Sequence, residues 1–203
     1  MADNQGLRDR VGQILMSPAC QFIDFTVDGT HIDGSGFSYV ALSLVPKKKA
    51  GPGLNFNIKK LSKLAGAQYN QRENALEFPK ANFGQNLWER RSIVHECTHA
   101  LIDARKRKVT WVTNEACANI AEQLYNQCFQ PPDPPANQID VAAAVIANNI
   151  LQKNQTSGSV MLTENDIIDL RLAILFNPTY VPIKKFFGGV SGSYGEDGLP
   201  LSK

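Results

Sequence analysis

The sequence predicts an α+β fold in which a small mixed or antiparallel sheet packs on two central helices and is followed by a helical C-terminal part. Three observations predict it. Before residue 80, short apolar runs alternate with polar residues and are separated by turns rich in Gly, Asp and Asn, the period-two pattern of strands. From Trp88 to Asp103 the apolar spacing becomes helical. After Cys128, the stretch Gln130-Pro-Pro-Asp-Pro-Pro135 cannot continue a helix, and two further helical segments follow it. The 203 residues are 43% hydrophobic and 20% charged, enough for one domain with a sizeable core. That domain spans 1–203. Residues 1–130 carry the sheet and the central helices, 131–187 form a helical C-terminal subdomain, and 188–203 form a flexible tail.

Taken in order, Gly6–Met16 reads as a short helix and Cys20–Asp28 as a strand, turned by Gly29 and Thr30. His31 falls in this Gly- and Asp-rich turn and reads as an exposed loop residue. Ser38–Val45 reads as a second strand, Pro46–Gly53 as a loop, Leu54–Ile58 as a third strand and Lys59–Ala65 as a short helix. Ala67–Asn70 and Asn74–Pro79 read as two short strands joined by a turn, with Pro79 ending the second. The helix over Trp88–Asp103 has an apolar back made by Ile93, Val94, Ala100, Leu101 and Ile102. Lys106–Thr113 then gives a basic helix end and a β-branched run, before a second helix over Asn114–Tyr125 capped by Thr113 or Asn114. Val141–Gln152 and Glu164–Leu175 read as helices, the latter capped by Thr163. Gly188–Gly198 reads as a loop-like tail, with a lid or self-inhibiting segment over the cleft as the alternative its flexibility suggests.

The first central helix contains His95-Glu96-Cys97-Thr98-His99. One helical turn separates the two histidines, so both imidazoles leave the same face and suit adjacent corners of a tetrahedral zinc site. Glu96 lies beside them, placed to take a proton from water at the metal. A catalytic zinc needs a third protein ligand and an open position. Glu115, sixteen residues after His99, is the candidate third ligand. A carboxylate in the first turn of a helix also suits the helix dipole, which is the alternative reading of Glu115. Asn119, one turn further on, is placed to accept the outer N–H of a ligating histidine and fix its ring. Glu122 and Asp103 are weaker candidates for that role.

His-Glu-x-x-His followed by Asn114-Glu115-x-x-Ala118-Asn119 resembles the gluzincins, the thermolysin-like branch of zinc metallopeptidases. The Glu115-x-x-Ala118-Asn119-x-Ala121 segment and the modest size are also similar to small ImmA/IrrE-like peptidases. The resemblance covers roughly residues 65–128, about a third of the chain. The metzincin pattern is excluded, because it needs Gly and His where this chain has Ile102 and Arg105. The resemblance implies a zincin-like fold, one Zn2+ per chain on His95, His99 and Glu115, and peptide-bond hydrolysis with Glu96 as general base. It also implies an edge strand that holds an extended substrate, and Ala75, Leu76 and Glu77 are the residues expected to supply it; an ordinary half-buried strand is the alternative. No histidine follows His99, so the oxyanion donor is left among Tyr125, Tyr180, Arg171 and Tyr194. The missing histidine keeps a zinc-containing, non-peptidase binding or regulatory module open. The size and unfamiliar C-terminal third keep open a toxin or effector protease with one dedicated substrate.

The resemblance implies a peptide or protein substrate as the partner. A net charge of +2 implies neither nucleic acid nor an anionic membrane, and Lys47–Lys49 and Arg105–Lys108 read as solvated turns. No run approaches a membrane helix, and the polar start lacks a signal peptide's apolar region. The expected location is cytoplasmic, with export lacking a cleaved signal left open. Cysteines at 20, 97, 117 and 128 have no metal-type spacing and read as small buried thiols in a reducing compartment.

Overall fold

The computed structural model describes residues 4–44, 53–61, 66–180 and 193–194. The loop expected at Pro46–Gly53, the helix expected at Lys59–Ala65 and the Gly-rich tail lie, apart from their edges, outside the described residues. The architecture is α+β, with two small mixed sheets packed against helices and a helical C-terminal region.

Helix α1 (Gln5–Leu15) buries Leu7, Val11, Ile14 and Leu15, a spacing that makes one apolar stripe. After the short α2 (Pro18–Gln21), strands β1 (Asp24–Val27) and β2 (Thr30–Asp33) form an antiparallel hairpin. Asp28 and Gly29 turn it with φ of 48° and 72°, the left-handed pair that matches strand twist in a two-residue turn. His31 therefore lies in a strand, with Nε2 2.7 Å from Asp24 Oδ1.

The segment expected as a strand at Ser38–Val45 is instead largely helix: α3 runs Gly34–Leu42. Asp33 caps it by accepting from the Gly36 N–H at 3.1 Å, and Phe37 and Val40, one turn apart, are fully buried. Asp33 also pairs with Arg105 at the end of α4, so the cap ties two helices together. Gly36 permits the close approach of α4 here, because a Cβ would lie 2.6 Å from a Leu101 methyl and force it to shift. Packing and capping override the β-propensity of the Phe-Ser-Tyr-Val run.

Strands β3 (Asn55–Ile58), β4 (Gln68–Asn70) and β5 (Ala75–Phe78) form a sheet in the order β3-β5-β4. β5 is thus the central strand, parallel to β3 and antiparallel to β4, and all four of its residues are buried. This corrects the edge-strand expectation for Ala75, Leu76 and Glu77: their backbone groups are spent on two neighbours. Glu77 is fully buried, its carboxylate held by Lys59 and Asn70. The edge facing α4 belongs to β4.

Helix α4 (Leu87–Ala104) starts at Asn86, which accepts from the Glu89 N–H at 2.9 Å. Ile93, Val94, Cys97, Ala100, Leu101 and Ile102 form its buried back. The short β6 (Val109–Thr110) leads into α5 (Trp111–Gln127), whose cap is Thr110, with its hydroxyl accepting from the Thr113 N–H. The helix begins earlier than expected, which puts Glu115 past its first turn. The helix dipole acts mainly in that first turn, so it does not account for a carboxylate at Glu115.

Helices α6 (Gln138–Ser157) and α7 (Glu164–Phe176) pack on α5. Between them β7 (Val160–Leu162) joins β1 in parallel, an addition the sequence patterning did not suggest. Asp166 closes the start of α7 by accepting from the Thr163 N–H and hydroxyl at 2.7 and 2.6 Å. β8 (Ser193–Tyr194) pairs with β6. One apolar cluster runs from Leu7 to Ile174. Cys20, Cys97 and Cys117 are buried free thiols, whereas Cys128 is exposed. Among the described residues, no helix is long and apolar enough to cross a membrane.

Candidate metal centre

The adjoining faces of α4 and α5 bring His95, His99 and Glu115 together, with one potential ligand atom from each within 4.8 Å of the others. Glu115 Oε2 lies 3.6 Å from His95 Nε2, and Glu115 Oε1 lies 3.8 Å from His99 Nε2. Ligand atoms held at zinc's usual bond lengths in a tetrahedron are about 3.3 Å apart, so three atoms within 4.8 Å of one another have to draw inward to share an ion.

The hydrogen bonds behind the rings test the fit further. His95 Nδ1 lies 3.0 Å from Glu122 Oε2, and His99 Nδ1 lies 2.5 Å from Asn114 Oδ1. Both partners present oxygen acceptors, which favours a proton on each Nδ1 and turns each Nε2 toward Glu115, where its lone pair is taken up by a second proton or offered to a metal ion. Those lone pairs converge with the Glu115 carboxylate. Several acceptors facing one point are repulsive unless a cation or proton lies among them, and two nitrogens with one carboxylate form a donor set suited to zinc. The residues present therefore fit a metal ion.

Burial pulls the His95 imidazole toward neutrality, but Glu115 and Glu122 outweigh it and hold the ring well above the ordinary histidine range. Burial likewise opposes ionisation of Glu115 and Glu122, yet their histidine neighbours keep both carboxyls below the usual range. Glu96 moves the other way. Burial pushes it up, and His95, His99 and the Tyr69 N–H, which donates to Oε2 at 2.7 Å, offset only part of that rise. One carboxylate in this cluster is thus biased toward binding a proton and another toward staying ionised.

The cluster lies in a cleft of about 860 Å3. His95, Glu96, His99, Glu115 and Asn119 all line it, whereas Ala75, Leu76 and Glu77 do not. Gly66, Ala67, Gln68 and Tyr69, the β4 edge and its approach, take their place on the wall. Asn119 does not hold a histidine ring; its side-chain N–H donates to the Glu115 carbonyl at 2.8 Å. Glu122 and Asn114 take that part. Asp103, the other weaker candidate, is buried in the last turn of α4 and accepts from the Tyr69 hydroxyl at 2.6 Å.

Of the candidate oxyanion donors, Tyr180 alone reaches the cluster among those whose side chains are described. Its hydroxyl donates to Glu115 Oε2 at 3.0 Å, and its ring lies 5.9 Å from that of Trp111. Burial and the adjacent Glu115 charge keep the phenol protonated, far above its ordinary range. Tyr125 is buried against Phe129, Arg171 pairs with Asp28 and Glu164, and Tyr194 belongs to β8. Arg91, which sequence reasoning missed, is buried in the cleft wall and pairs with Glu122 at 3.0 Å. A helical projection does carry that signal, since Arg91 is one turn before His95.

The fold and site define an α+β protein with a candidate metal-binding cluster on two packed helices. Comparison with protein-family models, curated proteins and solved structures finds no match to this chain.

Proposed function

We propose that this protein is a zinc-dependent metallopeptidase, in which His95, His99 and Glu115 hold one zinc ion and Glu96 is the general base. The observation that carries this reading is the convergence of two Nε2 lone pairs and a carboxylate at the floor of a cleft, with a protonatable glutamate beside them. A zinc ion held by His95, His99 and Glu115 would supply Lewis acidity there and lower the pKa of water toward neutral. Glu96 takes the proton of the attacking water and returns it to the leaving amine. The Tyr69 N–H fixes one oxygen of Glu96 and leaves the other for that exchange. Tyr180 brings a neutral hydroxyl to the cluster and supplies the donor for the developing oxyanion that the histidine count left missing. This favours an enzyme over a binding module. An extended substrate would lie along the wall formed by Gly66, Ala67, Gln68 and Tyr69.

The test is cleavage of a broad peptide library by the zinc-loaded parent and by Glu96→Gln. The parent should cut, and the variant should keep its zinc while losing on the order of 10²- to 10⁴-fold in turnover. A variant that cuts as fast as the parent, or a zinc-loaded parent that cuts nothing, contradicts the proposal.

A further inference from the structure

The part of the cleft beyond His95, toward the start of α4, has a charge imbalance that the peptidase chemistry does not use. Arg91 is only 4% exposed, yet it faces three carboxylates: Glu122 at 3.0 Å, Asp133 at 3.7 Å and Asp140 at 3.9 Å. Glu122 is also engaged by His95, and Asp140 accepts the Ala136 N–H at 2.9 Å near the start of α6. Asp133 is different. Its contact with Arg91 is beyond hydrogen-bond length, its carboxylate is 37% exposed, and it opens into the cleft. Among the described residues of the wall, Glu96, Glu115, Glu122, Asp133 and Asp140 stand against the Arg91 guanidinium alone, so a divalent ion at the histidines still leaves these residues with a net negative charge.

Trp88 lines the same cleft one turn before Arg91, on the same face of α4. It is a large apolar side chain left 51% exposed. Its indole is wedged rather than loose: Phe83 meets it edge-on at 6.1 Å, and Gly66 packs so closely that a Cβ there would lie 2.8 Å from the ring. A fixed aromatic face and a half-exposed carboxylate in one cleft suit a long cationic side chain whose terminal charge meets both the ring and the acid. Along α4, Trp88 and Arg91 precede His95 by about 6–10 Å, the length of two or three residues of extended peptide.

We propose that Trp88 and Asp133 form a subsite for a lysine or arginine side chain of the substrate, near the bond to be cut. The assignment rests on the peptidase reading and sets its substrate class: peptides that are basic beside the cleavage point. Glutamate at that place meets the surplus carboxylates and is disfavoured.

The experiment uses short capped alanine peptides carrying one lysine moved through each position, with matching norleucine and glutamate series. Binding to zinc-loaded Glu96→Gln protein is read by calorimetry at low and high salt. In one register the lysine peptide should bind about three- to thirtyfold tighter than its norleucine counterpart, the combined size of a half-exposed ion pair and a cation–π contact. The preference should shrink in high salt. Adding Asp133→Asn or Trp88→Ala should each lower the ratio, at zinc contents equal to the parent's. Equal binding of the two series, tighter binding of the glutamate series, or a ratio unchanged in both variants overturns the proposal. Cleavage of the same peptides by the protein with Glu96 intact is scored separately. Absence of any cleavage sinks the peptidase reading, while a lysine preference in binding leaves the subsite standing.

Discussion

The two histidines are useful to a metal only because each ring is held from behind. With Nδ1 committed to Glu122 in one case and Asn114 in the other, rotation about the ring axis would break a hydrogen bond, and both Nε2 atoms stay aimed at Glu115. Replacing Glu122 by Ala should therefore lower zinc affinity by about 10- to 100-fold, measured by competition with a chelator. Unchanged affinity would mean that the ring is oriented by packing alone. His95, Glu96 and His99 are legible in the sequence because their relation is set by a single helical turn. Glu115 is legible only through that pair. The partner of His99 is Asn114 and not Asn119, a distinction that depends on how α5 approaches α4, which no spacing within one helix encodes.

At the scale of elements, α4 has to be fixed at its start for the histidine face to be fixed. Glu89 does this by folding back to accept the Gly84 and Gln85 N–H groups, each at 2.8 Å, with Lys80 on its other oxygen at 2.5 Å. Burial pushes the Glu89 carboxyl up, but Lys80 and the two N–H groups outweigh it and hold the group below its ordinary value of 4.5. A carboxyl whose value is lowered by folding stabilises the fold at pH above its unfolded value and loses that contribution as pH falls through its folded value. Stability to urea should thus decline as pH drops below about 4.5. Glu89→Gln should cost about 1–3 kcal/mol at neutral pH, with the Lys80 share discounted because its ammonium is half exposed, and should flatten the acid limb. A variant whose acid limb is as steep as the parent's would place the effect elsewhere. The long helices α4 to α7 were readable from periodicity, and the turn after β1 from its glycine, but not β2, which begins at Thr30 and holds His31. The central place of β5 and the helical state of α3 were not, because each is decided by partners distant in sequence: β3 for the first, Arg105 and Leu101 for the second.

Across the whole molecule, the C-terminal third completes the site. The connection after α5 brings Asp133 to the cleft, the start of α6 brings Asn137 and Asp140, and the chain just past α7 brings Tyr180 onto Glu115. The sequence showed the Pro-rich connection and two helices there, but not that they wall the candidate metal cluster; that follows from α6 and α7 packing on α5. The α+β architecture itself was legible from the order of strand-like and helix-like segments. The central claim, that His95, His99 and Glu115 form one metal site, is tested most directly by zinc content. Zinc per mole should be measured in the purified parent and in Glu115→Ala prepared identically with supplemented zinc. The account predicts about one zinc in the parent, as a site of three protein ligands holds, and clear loss in the variant. A parent that takes up no zinc, or a variant that keeps its full complement, would contradict it.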